Sequence, residues 1–208
     1  MLSARSVAVG HGRTPLLEGV DLDIGPGEIV GLVGPSGSGK TSLARVLSGL
    51  NRPLEGEVRI DGRVAMLFQS PRRSVDPRLT LRRSIEICAA DPEIDWERLC
   101  ARADLPPGLL DRYPRQVSDG QLQRAAIARA LVGKPGYLLC DEMTAALDPA
   151  TTAAVVTTVR RAADDGAGVL FISHDLPLVG ACSDRVLEIR GTRVAPSTTL
   201  STRKVARS

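Results

Sequence analysis

The chain has 208 residues, 43% of them hydrophobic and 2% aromatic, with a net charge of +3. That length suits one compact domain with a buried core, and no apolar run approaches the length that crosses a bilayer. The charge does not point to nucleic acid, because Arg190, Arg193, Arg203, Lys204 and Arg207 follow Glu188 with no acid among them, leaving 22 basic and 24 acidic residues up to Ile189. The basic character belongs to a Ser/Thr-rich tail, 191–208, expected to be disordered. Few rings are present for bases to stack on. Cys88, Cys100, Cys140 and Cys182 are widely spaced, without the CxxC or Cys/His grouping of a zinc site. They read as small buried residues. The N-terminus lacks a basic-then-apolar leader, so a cytosolic protein is expected.

In chain order, short strand patterns come first, at 6–9 and 20–24, then at 28–33 and 57–60. Gly25-Pro26-Gly27 and Asp61-Gly62 mark turns between them. The segment 40–50 is helical by periodicity, with Leu43, Val46, Leu47 and Leu50 on one face. A strand follows at 64–68. From 79 to 132 the pattern is helical, broken by Pro92, Pro106, Pro107 and Pro114. Strands and helices then alternate: strand 137–140, helix 150–163, strand 169–173, short helix 176–181 and last strands near 185–189. Alternation at both ends implies a mostly parallel sheet with helices on its faces, and the middle block is an inserted helical subdomain.

Gly34-Pro35-Ser36-Gly37-Ser38-Gly39-Lys40-Thr41 has the spacing of a phosphate-binding loop. Its glycines let successive N–H groups turn inward around a phosphate, and the helix behind it adds its positive end. Lys40, one of only three lysines, brings a point charge, and the Thr41 hydroxyl suits Mg²⁺. Leu138-Leu139-Cys140-Asp141-Glu142 is a buried strand ending in two carboxylates, where open α/β sheets bind ligands. Asp141 is the Mg²⁺ partner, and Glu142 the general base or polariser of water. The Gln69 amide can sense the metal or the attacking water. Val117-Ser118-Asp119-Gly120-Gln121 contains a capping box between Ser118 and Gln121. The box leaves Gly120 unexplained, since glycine costs helix stability there.

With these motifs in this order, 6–189 resembles an ATP-binding-cassette (ABC) ATPase, the nucleotide-binding subunit of an ABC transporter. Gly34 to Thr41 resembles the Walker A motif, Gln69 the Q-loop, Ser118 to Gln121 the signature motif and Leu138 to Glu142 the Walker B motif. Ala146-Leu147-Asp148 resembles the D-loop and His174 the switch histidine. The resemblance implies an α/β fold: a P-loop NTPase (RecA-like) core with a mostly parallel sheet, an N-terminal antiparallel β-subdomain and an inserted helical subdomain at about 71–132. It makes 1–190 a single ATPase domain. It implies ATP and Mg²⁺ as cofactors, with Gly34 to Thr41, Ser42, His11, Ser118, Gly120, Gln121 and Asp148 binding nucleotide. Thr41, Gln69 and Asp141 serve the metal, and Glu142, His174 and Gln69 serve catalysis. It also implies a second ATPase subunit forming a head-to-tail sandwich, integral membrane permeases, and a solute-binding protein indirectly. Nucleic acid is not among the partners. The place is cytoplasmic, peripheral on the inner face of the membrane.

A narrower resemblance, to peptide/nickel importer ATPases, lies in Phe68-Gln69-Ser70-Pro71-Arg72-Arg73-Ser74-Val75-Asp76-Pro77-Arg78-Leu79-Thr80-Leu81, in Arg112-Tyr113-Pro114 and in Cys140. Four features depart from the pattern. Asp119 stands where glycine is usual, close to a partner's γ-phosphate, with tolerated or weakened function expected. His11 replaces the aromatic that stacks on adenine, and Met143 replaces a proline. The C-terminal extension of that group is missing before Ser208. The alternative reading is the ABC ATPase of an exporter or a soluble, non-transport one. A P-loop kinase or GTPase leaves Ser118 to Gln121 and His174 without a role. A non-hydrolysing regulator leaves Glu142 without one.

Overall fold

The computed structural model describes residues 1–12, 14–145 and 147–198, and of His11 and Arg73 only the backbone. Ala146 of the D-loop resemblance and 199–208 of the tail therefore lie outside the described residues, as does the imidazole of His11 expected to meet adenine.

Two sheets are formed, and the alternation of side chains along the strands explains how they are joined. The first is antiparallel, in the order β2 (Thr14–Ile24), β1 (Leu2–His11), β4 (Glu55–Ile60). The second has the order β5 (Val64–Leu67), β6 (Tyr137–Asp141), β7 (Gly168–Ile172), β3 (Ile29–Val33), β8 (Arg185–Arg190), β9 (Arg193–Pro196). All its pairings are parallel except β8 with β9. Strands β3, β6 and β7 are buried along their whole length, as strands covered on both faces must be. Successive residues point to opposite faces, so each strand feeds two cores. Val30, Leu32, Leu139, Leu170 and Ile172 pack with Leu43 and Leu47 of α1 (Lys40–Leu47) and with Leu2, Val7, Leu17 and Ile24 of the antiparallel sheet. Ile29, Val33, Leu138, Cys140, Val169 and Phe171 pack on the other side. There they meet α4 (Asp119–Val132), α5 (Pro149–Asp164) and α6 (Leu176–Cys182). Gly31 shows how close α6 comes: a Cβ there would lie 2.5 Å from Val179 Cγ1.

The helical block comprises a 3-10 turn at Pro71–Ser74, α2 (Leu81–Glu86), α3 (Trp96–Ala103), two further 3-10 turns and α4. Leu81, Ile85, Leu99 and Leu110 seal it onto α4 in the same core that contains Phe171.

Several sequence boundaries shift. The N-terminal strands form a hairpin of ten- and eleven-residue strands, because cross-strand pairing carries β1 and β2 well past their apolar runs. The 40–50 helix stops at Leu47, where Ser48 closes it. The tail expectation is corrected at its start: Arg193–Pro196 is a strand, with Val194 facing Ile189 of β8. Edge pairing orders a segment whose composition reads as tail. Among the described residues no helix is long and apolar enough to cross a membrane.

Candidate functional site

Sheet order alone gathers the motif residues. β5, β6, β7 and β3 are successive neighbours and run parallel. Their carboxyl ends therefore line one edge. Gln69 follows β5, Asp141 and Glu142 end β6, His174 follows β7, and the loop 34–41 follows β3. Neighbouring strands lie about 4.8 Å apart, so groups on adjacent strands stand within side-chain reach, while Gln69 is three strands from the loop at 34–41.

The loop leads into the one α-helix in the described chain that starts without a side-chain cap. The other five begin on Thr80, Asp95, Ser118, Asp148 and Asp175, each accepting an N–H from three residues on. The N-cap of α1 is Gly39, at φ 101°, with no side-chain cap and no acid in the first turn. A left-handed glycine gives the loop its turn, and the helix keeps its first N–H donors for another acceptor. Gly37 is also left-handed, at φ 77°. A Cβ on Gly34 would lie 2.9 Å from Ile189 Cβ and 3.2 Å from Ser38 Oγ, so the loop is held close against β8. Ser38 Oγ is buried and has no hydrogen-bond partner. A buried hydroxyl without a partner and a helix end without a cap are the features an oxyanion would complete.

Lys40 is 6% exposed. Its Nζ donates to Gly34 O (2.9 Å) and Pro35 O (2.8 Å) and lies 3.8 Å from Glu142 Oε1. Thr41 Oγ1 donates to Asp141 Oδ1 at 3.1 Å. Burial pushes the Asp141 carboxyl above its usual range; the Thr41 hydrogen bond opposes this, and the neighbouring Glu142 charge adds to it. Glu142 has φ 48°, a left-handed turn that a residue with a Cβ adopts at a cost of about 1–3 kcal/mol. Its N–H still pairs with Ile172 O at 3.0 Å. The chain thus leaves β6 in a sharp bend that aims the carboxylate at Lys40 on one side and His174 on the other, with Nδ1 to Oε2 at 4.0 Å. His174 is 64% exposed, beside a cleft of about 300 Å³ lined by Gly34, Pro35, Leu176 and Glu188.

Thr41 and Asp141 thus present two oxygens at one point. No group of three or more His, Cys, Asp or Glu among the described residues is placed to hold a metal ion. A pair of this kind fits Mg²⁺, which is held by one or two protein oxygens together with phosphates and waters. The donor set therefore fits the Mg²⁺ that the motifs imply.

The remaining motif residues stand elsewhere. Gln69 is exposed. Ser118 Oγ accepts from Gln121 N (3.2 Å), and Gln121 Oε1 accepts from Ser118 N (3.0 Å), forming the capping box read from the sequence. Asp148 caps α5, accepting from Thr151 N (3.0 Å) and Thr151 Oγ1 (2.6 Å). The Thr151 side-chain hydrogen bond holds the Asp148 carboxyl below its usual range. Gly120 and Thr151 adjoin: a Cβ on Gly120 would lie 3.4 Å from Thr151 Cγ2. The starts of α4 and α5 therefore form one surface. The hydrogen bonds of that surface are spent on its own caps and on Arg72, and among the described residues none reaches the loop at 34–41.

Three features escaped the sequence reading. Asp119 is paired with Arg72 (Nε to Oδ1 2.6 Å), so the bare carboxylate expected beside Ser118 is a neutralised one; a pair 47 residues apart leaves no local signal. Met143, in the usual proline position, is 2% exposed and packs in the core with Cys140 and Val155. The left-handed backbone of Glu142 has no sequence signal either, since glycine or asparagine would be the residues to expect there.

Known proteins resemble this chain in both sequence and structure. The family model described as "ABC transporter" matches residues 17–145. The zinc import ATP-binding protein ZnuC of Jannaschia sp. is 38% identical over 196 residues, covering 92% of this chain and 79% of that protein. The aliphatic sulfonates import ATP-binding protein SsuB of Granulibacter bethesdensis is 37% identical over 203 residues, covering 97% and 84%. The methionine import ATP-binding protein MetN of Rhizobium etli is 37% identical over 209 residues, covering 88% of this chain but 56% of that protein. The chain thus spans little more than half the length of that last relative. Among solved structures, a dimeric ATP-binding cassette in a post-hydrolysis state bound to ADP and Pi superposes with a TM-score of 0.82 at 28% identity, covering 93% and 96% of the two chains.

Proposed function

The chain belongs to the ABC transporter family, and from that premise we propose that it is the ATP-binding and ATP-hydrolysing subunit that energises an importer. One observation carries the reading. Lys40 and Thr41 open the only uncapped α-helix of the described chain, and they meet Glu142 and Asp141, the two carboxylates that end β6.

The loop 34–41 with Ser42 receives the triphosphate on its free N–H groups. Lys40 exchanges the carbonyls of Gly34 and Pro35 for phosphate oxygens. Thr41 and Asp141 would hold Mg²⁺, which would supply charge stabilisation to the transferring phosphoryl group. Glu142 orients the attacking water and takes its proton. His174, next to that carboxylate, steadies the water and the γ-phosphate. Gln69 stands at the same sheet edge, beside Asp141, where its amide can report nucleotide state to the segment that follows it.

One chain does not complete this site, because among the described residues no hydrogen bond joins Ser118, Gly120 or Gln121 to the loop that holds Lys40. Two cassettes placed head to tail supply the missing half, with Ser118 and Gly120 of one against the γ-phosphate held by the other, and Asp148 beside them. That a cassette similar to this chain is dimeric when bound to ADP and Pi supports pairing. The cassettes attach to membrane permeases near Gln69, on the inner face of the membrane.

The relatives are named for methionine, aliphatic sulfonate and zinc import. A peptide or nickel-chelate cargo is supported only by the narrower resemblance in 68–81, Arg112-Tyr113-Pro114 and Cys140. ATP-dependent capture of the Glu142→Gln variant from gently solubilised cells tests the reading and identifies the cargo class. Recovery of permeases and a solute-binding protein is expected. Recovery of only soluble partners, ribosomes or nucleic-acid enzymes would overturn the transport reading and leave the ATPase chemistry standing.

A further inference from the structure

Resting on the paired-cassette reading above, we propose that Arg72 is a positioning residue whose role is to cancel the charge of Asp119 at the start of α4. Arg72 lies three residues past Gln69, in the 3-10 turn Pro71–Ser74. Its guanidinium makes three hydrogen bonds into the approach to α4: Nε to Asp119 Oδ1 at 2.6 Å, and its terminal nitrogens to Pro114 O at 3.0 Å and Val117 O at 3.1 Å. The far end of the same turn is fixed too, because Arg129 of α4 donates to Ser74 O. The turn after Gln69 is therefore hydrogen-bonded at both ends to α4 and its approach.

The charges give this tie its effect. Asp119 occupies the first turn of α4, where its carboxylate suits the helix dipole but repels an incoming phosphate. Ser118 Oγ accepts from Gln121 N, which leaves its own hydroxyl proton to be donated to an anion. With Arg72 in place the pair is neutral, and the dipole, the hydroxyl and the N–H of Gly120 set the sign of that surface. The two carbonyl bonds fix the plane of the guanidinium, so little further freedom is lost in pairing with Asp119. The pair is half exposed, at 46% and 62%, so its influence is modest and falls with salt.

Two roles are then separable. A purely structural staple depends on the two carbonyl bonds, and neither a lysine nor removal of Asp119 would replace them. A charge-cancelling residue is replaced by lysine, and becomes dispensable once Asp119 is gone. The test uses the full chain carrying Glu142→Gln, alone or with the ATPase recovered by the capture experiment, and measures ATP-driven association by sedimentation. Monomer affinity for a fluorescent ATP analogue is read alongside. Arg72→Ala is expected to weaken association roughly fivefold, the scale of one exposed charge pair. Arg72→Lys and the double variant Arg72→Ala/Asp119→Gly are expected to return to within about twofold of the parent. Monomer affinity should stay unchanged throughout, since Arg72 lies outside the cradle. The proposal is overturned if Arg72→Ala has no effect, or if Asp119→Gly or the lysine fails to restore association. If the parent itself shows no ATP-driven association, the paired-cassette reading fails, and this inference with it.

Discussion

Asp141 is 4% exposed, and its burial raises its carboxyl above the ordinary value, with the Thr41 hydrogen bond a smaller opposing effect. Between the ordinary value and the raised one, the folded chain holds a proton that the unfolded chain has lost. This group's contribution to stability therefore falls as pH rises through that window, and the cost is fully present above the raised value. Asp141→Asn should accordingly stabilise the nucleotide-free fold by about 1 kcal/mol, a common gain when a functional strain is relieved. It should also flatten the acid-side slope of stability and remove Mg²⁺-dependent hydrolysis. Urea unfolding at neutral and mildly acidic pH checks this, and an unchanged midpoint would count against a desolvated charge. Lys40 makes the complementary case. Its ammonium is neutralised by two carbonyls and a carboxylate, all exchangeable for phosphate. Lys40→Ala should weaken ATP binding by at least roughly tenfold, from the worth of charged hydrogen bonds. Equal affinity in a direct titration would remove the loop from the account.

Elements show where local sequence suffices and where it does not. The capping box of α4 was legible because Ser118 and Gln121 are three residues apart and their chemistry is local. Ser118→Ala should cost about 1 kcal/mol in thermal or urea unfolding and, in addition, weaken ATP-driven pairing. A stability loss with unchanged pairing would reduce Ser118 to a cap. The loop at 34–41 and the strand before Asp141 were legible for the same reason. Strand extents in the β1–β2 hairpin were not, because pairing between strands sets them rather than propensity along either one. β9 was hidden similarly: Arg193–Pro196 is polar and short, and only the open edge of β8 makes it a strand. Met143 shows the limit at a single position. A family comparison marks it as unusual, whereas the fold makes it a core residue beside Cys140 and Val155. Met143→Ala should cost roughly 3 kcal/mol, a loss that chemical denaturation would register and that a surface position would not show.

At the scale of the whole molecule, one sheet separates two cores and brings the residues proposed for catalysis, Glu142, His174 and Gln69, to one edge. The order β5, β6, β7, β3 was not readable from the sequence, although the parallel alternation that permits it was. The starts of α4 and α5 make no hydrogen bond to the loop at 34–41 among the described residues, and on the proposed reading that division is why turnover should depend on assembly. On the proposed reading, each chain holds ATP alone and hydrolyses it against a second cassette. The most direct measurement is ATP turnover per chain as chain concentration rises, or as the captured ATPase partner is added, in the wild type and in Glu142→Gln. The account predicts a rate per chain that climbs with pairing in the wild type, and a Glu142→Gln variant that binds ATP and pairs without turning it over. A rate per chain independent of pairing, or undiminished hydrolysis in Glu142→Gln, would contradict it.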